Sequence, residues 1–285
     1  MPFDQADASG WDECLPSVAA CSVKTAAGAA EVPDHGDLWR VEWERRETRG
    51  EGDKGTEWQG VGDQGSAADS ESSLTLAGRC FSLPLEVERT MHLREVERGW
   101  RLELNYRVRN TGNYAVPWSW AAHPLFVCEE GDWIVLPESI RSVKVEGSGG
   151  ERLGRSGDTV SWPVARLADG GTADLSVVDR RDSGVGDKLF AGPLSADENW
   201  CALERKSAGL RIRVRFDSGA TAYLGLWICY GGWPERPGPK QVCVAMEPST
   251  APVDSLAVKG RWTRELAAGE SFSWPMQVEI ERIER

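Results

Sequence analysis

Metal-binding and redox signatures are sparse in this 285-residue chain, which has three histidines, seven cysteines and no Cys-x-x-Cys pair. His123 and Cys128 lie close together, but no second ligand pair has the spacing of a structural or catalytic zinc site, so no metal and no other cofactor is expected. Basic charge is in deficit: 33 Lys and Arg stand against 45 Asp and Glu, a formal net charge of −12. That field repels nucleic acid and anionic membrane surfaces, which excludes both as partners and favours a small neutral ligand. No run approaches the roughly 18 apolar residues of a membrane-spanning helix. The first ten residues have no basic region followed by an apolar one, so the chain reads as soluble and cytoplasmic. The cysteines, odd in number and several of them inside apolar segments, suit buried free thiols in a reducing compartment. No internal repeat of fixed period is present. Helix signals are nearly absent, with one short helix expected over 252–259, where Pro252 would occupy the first turn.

What remains is strand. Over 100–109, Trp100, Leu102, Leu104, Tyr106 and Val108 alternate with charged and polar residues, and over 210–216 apolar residues alternate with Arg211, Arg213 and Arg215. Both are half-exposed antiparallel strands, the arginine row being a solvated sheet face. Segment 272–280 alternates likewise, although Pro275 directs it to an edge or a bulge. Segments 44–73 and 147–157 are rich in Gly, Ser and charge and read as exposed loops or loosely paired hairpins. Strand patterns continue on either side of them, so 1–285 is one domain. A dozen or more short strands with almost no helix make it all-β, a sandwich or barrel.

Three of the strands carry chemistry. In 241–248, period-two alternation sends Val242, Val244 and Met246 to one face and Cys243, Ala245 and Glu247 to the other. A carboxylate in so apolar a stretch costs several kcal/mol to bury unless something pairs or uses it. Read as a strand, 117–124 sets Ser119, Ala121 and His123 opposite Trp118 and Trp120, and 221–230 sets Tyr223, Gly225, Trp227 and Cys229 opposite Leu224, Leu226 and Ile228. An acid, an imidazole and aromatic surface on small-residue faces are the ingredients of a pocket for a polar ring. Fourteen tryptophans are ample for that pocket, although large sheets also bury big aromatics in their cores.

Asp34-His35-Gly36 followed by Trp39, then His123-Pro124-Leu-Phe126, then Asp187-Lys-Leu-Phe190, then Glu247-Pro248 stand in the order and at the separations found in the aldose 1-epimerase (galactose mutarotase-like) family. Gly10 to Pro16, Gly225-Leu-Trp227 and Gly231-Gly-Trp-Pro234 also resemble segments of its less characterised bacterial members, so the likeness spans nearly the whole chain. The resemblance implies a large antiparallel β-supersandwich and interconversion of the α and β anomers of a monosaccharide by acid/base ring opening. By it, Glu247 is the base, His123 the acid and His35 a second histidine that positions the sugar and polarises its ring oxygen. Asp187 matches a hydroxyl-binding position, with Trp227, and less directly Trp39, as stacking surfaces. Family members carry further strands, with a sugar-contacting arginine, ahead of the segment matched by 10–16. Here nine residues precede Gly10, so the expected domain is trimmed at that edge or completed differently.

Each residue also has a plainer reading. His123 could be a core histidine bonded to backbone, His35 an exposed loop residue and Asp187 a strand-entry or capping carboxylate. Glu247 could pair with a core arginine. A sugar-binding or sugar-sensing protein without turnover is the alternative function; a glycosidase would need a second carboxylate, for which Asp187 is the candidate. A trimmed sheet edge would also be covered by a second copy, giving a homodimer.

Overall fold

Where every second residue is apolar, the chain pairs into antiparallel sheet. A computed structural model describes residues 10–46 and 72–284, with strands numbered here in chain order from β1 to β21. One sheet has seven strands, in the order β1 (Trp11–Cys14), β9 (Ala121–Phe126), β19 (Val242–Ser249), β18 (Tyr223–Tyr230), β15 (Val185–Ala191), β11 (Ser142–Ser148) and β12 (Thr159–Ser161). The other has eight, in the order β10 (Trp133–Val135), β16 (Trp200–Arg205), β17 (Leu210–Phe216), β21 (Ser271–Arg282), β7 (Gly99–Asn110), β6 (Leu85–Val96), β5 (Ser72–Arg79) and β4 (Glu44–Arg46). Three two-stranded pairs complete the fold: β2 (Cys21–Thr25) with β3 (Gly28–Val32), β8 (Val116–Trp118) with β20 (Arg264–Leu266), and β13 (Val164–Arg166) with β14 (Thr172–Asp174). Among the described residues no helix is long and apolar enough to cross a membrane, and all seven cysteines are free thiols.

Alternation sorts each strand. Leu224, Leu226 and Ile228 of β18, Val244 and Met246 of β19 and Leu189 of β15 share one continuous core with Leu104, Tyr106 and Val108 of β7, Val214 and Phe216 of β17, and Met276 and Val278 of β21. Trp118, Trp120 and Trp274 meet inside it, the Trp274 ring lying 5.7 and 4.9 Å from the other two and stacked at 5.3 Å on Tyr106. The large-aromatic load is therefore partly a core matter. At the far end of β7 the pattern outruns the core, and Trp100 is 48% exposed. The arginine row of β17 is a sheet face laced with ion pairs, Arg211 to Glu204 and Arg215 to Glu279.

Several local expectations change. Strand β21 is central, not an edge: it pairs with β7 from Ser271 to Glu281 and with β17 only from Met276 onward. Pro275 falls one residue before that second pairing begins, where the strand has a neighbour on one side only and a missing N–H is tolerated. Segment 252–259 forms turns instead of a helix, because its backbone is engaged elsewhere: the Asp254 N–H donates to Glu146 Oε1, and its carbonyl accepts from the N–H groups of Val18 and Ala19. Segment 117–124 is not one strand. Ser119 N–H donates to the Pro16 carbonyl and Trp120 N–H to Thr250 Oγ1, which divides it into β8 and β9. Of the 44–73 segment read as loop, 44–46 and 72–73 are strand and 47–71 lies outside the described residues.

Candidate active site

The face of the seven-stranded sheet turned away from the core carries the chemistry. Pairs Ala121 to Ser249 and Leu125 to Ala245 bracket His123 and Glu247 and set them across from each other on neighbouring strands. On the other flank of Glu247 stands Gly225. A Cβ there would approach Glu247 Oε2 to 3.1 Å and the Phe190 ring to 3.2 Å, so glycine keeps the room that the carboxylate uses. His123 Nε2 is 3.8 Å from Glu247 Oε1.

His35 completes the group from a loop. Its N–H donates to the Val18 carbonyl at 2.6 Å, its Nδ1 lies 3.1 Å from Asp34 Oδ2, and its ring stands edge-on to that of His123 with centroids 5.1 Å apart. The backbone there is left-handed, φ being 58° at His35 and 70° at Gly36. A Cβ on Gly36 would lie 2.3 Å from the Leu15 carbonyl oxygen, so only glycine lets this loop press onto the end of β1.

The two histidines open into a cavity of about 250 Å³ lined by Val18, Asp34, His35, His123, Lys188, Trp227, Trp233, Gln241 and Asp254, among others. It approaches the lower end of the size range of small-molecule sites, about 300–1,000 Å³. A second void, beneath Trp118 and Trp262, measures about 10 Å³ and holds a water at most. Trp227 forms part of the wall, its indole N–H donating to Gln241 Oε1 at 3.2 Å and its ring edge-to-face with Trp233. Glu247 sits behind Lys188 and His123 with 1% of its surface exposed.

Two expected residues lie elsewhere. Period two places Asp187 on the core face of β15, where Ser148 Oγ donates to its Oδ1 at 2.7 Å and Arg152 Nε to its Oδ2 at 2.9 Å. Trp39 is not in the cavity wall. Its indole N–H donates to the Asp34 carbonyl and its face receives the Arg40 guanidinium, so it braces the loop bearing His35.

The residue that faces the cavity from the Asp187 motif is its neighbour Lys188. Its ammonium hydrogen-bonds Glu247 Oε2 and lies 3.5 Å from Asp254 Oδ1, so the partner of Glu247 is a lysine, not an arginine. A cue for it was present in the chain. In 185–191 the apolar residues Val185, Leu189 and Ala191 share the parity of Asp187, leaving Lys188 with Gly186 and Phe190 on the opposite face. Trp233 and Asp254 come from loops, where no periodicity applies, while Gln241, just ahead of β19, has the parity of Glu247.

Burial sets the ionisation. It raises the Glu247 carboxyl above the ordinary carboxylate range, with Lys188 pulling the other way. It drives His123 well below the usual imidazole value, assisted by His35 and Lys188, so that ring is neutral near pH 7. Burial alone would lower Lys188, but Asp254 and Glu247 outweigh it and hold the ammonium charged. Among the described residues no group of three or more potential ligands could hold a metal ion.

Two large antiparallel sheets with almost no helix match the galactose mutarotase-like fold. The solved structures that share it are distant in sequence. A protein from Synechocystis sp. PCC 6803 superposes with a TM-score of 0.66 at 17% identity, over 96% of this chain and 78% of that one. A galactose mutarotase-like protein from Clostridium acetobutylicum gives 0.62 at 14% identity, over 96% and 80% of the two chains. One from Lactobacillus casei gives 0.59 at 17%, over 95% and 85%. No protein-family model and no curated protein matches the sequence. At such identities the likeness establishes the fold, and the chemistry rests on this chain's own residues.

Proposed function

We propose that this protein binds a monosaccharide in the cavity and interconverts its α and β anomers, with Glu247 as base and His123 as acid. The observation that carries the reading is the Oε1 atom of Glu247. It is a buried acceptor with no hydrogen-bond partner, set 3.8 Å from the imidazole that would complete the pair. Leaving such an acceptor unsatisfied costs about 1–3 kcal/mol, which a ligand hydroxyl reaching it would recover.

The steps follow from the pair. Glu247 takes the proton of the anomeric hydroxyl while His123 protonates the ring oxygen, and the bond between the anomeric carbon and that oxygen breaks to leave an aldehyde. After rotation about the adjacent carbon–carbon bond, the hydroxyl attacks the other face of the carbonyl. It returns its proton to His123, and Glu247 returns the other to the anomeric oxygen, so nothing is consumed. Burial pushes the carboxyl up and the imidazole down, so the proton affinities of the two draw together and the pH dependence belongs to the pair. The productive form has the proton on His123.

One feature favours a second reading, sugar binding without turnover: Lys188 occupies Oε2 and the carboxylate is almost wholly enclosed. Saturation-transfer NMR of anomer exchange over a panel of aldoses separates the two. Acceleration lost in both Glu247→Gln and His123→Ala supports the enzyme; binding with no acceleration in the wild type selects the sensor; cleavage of an aryl glycoside overturns both.

A further inference from the structure

We infer that Lys188 is a positioning residue of this site, which holds Oε2 of Glu247 so that the carboxylate stays ionised and presents Oε1 to His123. The inference rests on Glu247 being the base, but it concerns a residue that the motif resemblance passes over.

The geometry is diagonal. Lys188 pairs with Trp227 across β15 and β18, and Trp227 with Ala245 across β18 and β19, so the lysine stands one row away from the row containing Glu247, Gly225 and Phe190. Its side chain reaches diagonally to the carboxylate, to the oxygen that a Cβ at position 225 would crowd at 3.1 Å, so glycine there keeps room around the contact. The ammonium passes 5.5 Å from the Phe190 ring on the way. Asp254 fixes the other side of the ammonium. That aspartate is itself immobilised, its backbone bonded to Ser17, Val18, Ala19 and the Glu146 carboxylate, so Lys188 is clamped between two acids whose own positions are set by the fold.

The charges facing this cluster come from every element around it. Glu247 is on β19, Lys188 on β15, His123 on β9, the Cys14 thiol on β1 and Glu146 on β11, with Asp254 and His35 on loops. Lys188 is the one of them whose charge favours an ionised Glu247 through direct contact. Without it, burial and Asp254 act together to protonate the base. The ammonium also disfavours the imidazolium form of His123, but from further away. Removing Lys188 therefore moves both limbs of the pH profile upward, the acid limb further.

The test is Lys188→Met beside Lys188→Arg, with anomer exchange followed from pH 5 to 10. Lys188→Met is expected to shift the acid limb up by about 1–3 pH units, the size of an opposite-charge contact. That is a loss of roughly 10-fold or more on the acid side, recovered at higher pH. Lys188→Arg, which keeps the cation, leaves the limb near its wild-type position. Carbon-13 NMR titration of the Glu247 carboxyl, assigned by its absence in Glu247→Gln, reads the same shift whether or not the protein turns over sugar. An unmoved carboxyl titration in folded Lys188→Met overturns the inference, as does a lost rate that no pH restores. Retention of exchange in Glu247→Gln would instead remove the base assignment, leaving the carboxyl titration to judge Lys188 on its own.

Discussion

The seven-stranded sheet buries a glutamate on each face, and the two are treated in opposite ways. On the core face, Glu13 of β1 is surrounded: Oε1 accepts from Arg89 and Tyr106 at 2.7 and 2.8 Å, and Oε2 from the Trp120 indole at 2.8 Å. On the outer face, Glu247 has one oxygen held by Lys188 and the other without a hydrogen bond, beside a cavity. Burial raises both carboxyls. Only one is left with something still to bind. Satisfaction of hydrogen bonds, more than burial or proton affinity, separates the structural acid from the functional one here.

The contrast can be broken most forcefully at Glu247. Glu247→Gln should lower the anomer exchange rate by roughly 10²–10⁴-fold, measured by saturation-transfer NMR, with a cooperative unfolding transition retained. Glu13→Ala is its mirror. Stranding Arg89 inside the fold should cost about 3–5 kcal/mol in urea unfolding, while the molecules that remain folded keep their exchange rate. If Glu13→Ala proves catalytically dead yet fully stable, the division between the faces is wrong.

Acid sharpens the same comparison. Both carboxyls have folded pKa values raised above the unfolded reference, so the stability they contribute is complete below about pH 4.5 and is lost as pH rises through the raised values. Activity has the opposite sign, because the base must be ionised. Acidification into the window just above pH 4.5 should therefore stop anomer exchange without these two groups weakening the fold, which a rate–pH profile and far-ultraviolet dichroism on one sample will show. The smallest effect is expected from Trp227→Ala. Loss of a stacking wall should weaken sugar binding by roughly 0.5–1.5 kcal/mol, about 2- to 12-fold in Kd by titration calorimetry, with the bound rate little changed.

Alternation made much of this architecture readable from residues alone. β7 and β17 follow their apolar periods, and His123 and Trp227 line one cavity, with Glu247 buried behind His123 on the same sheet face. Asp187 failed the same test, because a motif names neighbours in sequence while a strand sends neighbours to opposite faces. The acid faces the core, and the lysine beside it reaches the site. Pro275 misled for a different reason: whether a proline sits at an edge depends on how far the adjacent strand extends, which is a property of β17 and not of β21. Asp254 was invisible to pattern, since its place depends on tertiary hydrogen bonds to distant segments.

The missing side chain at Gly225 gives an engineer a dial. Gly225→Ala adds one methyl about 3.1 Å from Oε2 of Glu247, the oxygen that the ammonium holds, and removes no ionisable group. Such a variant would retune the site by crowding alone, leaving its full set of ionisable groups in place.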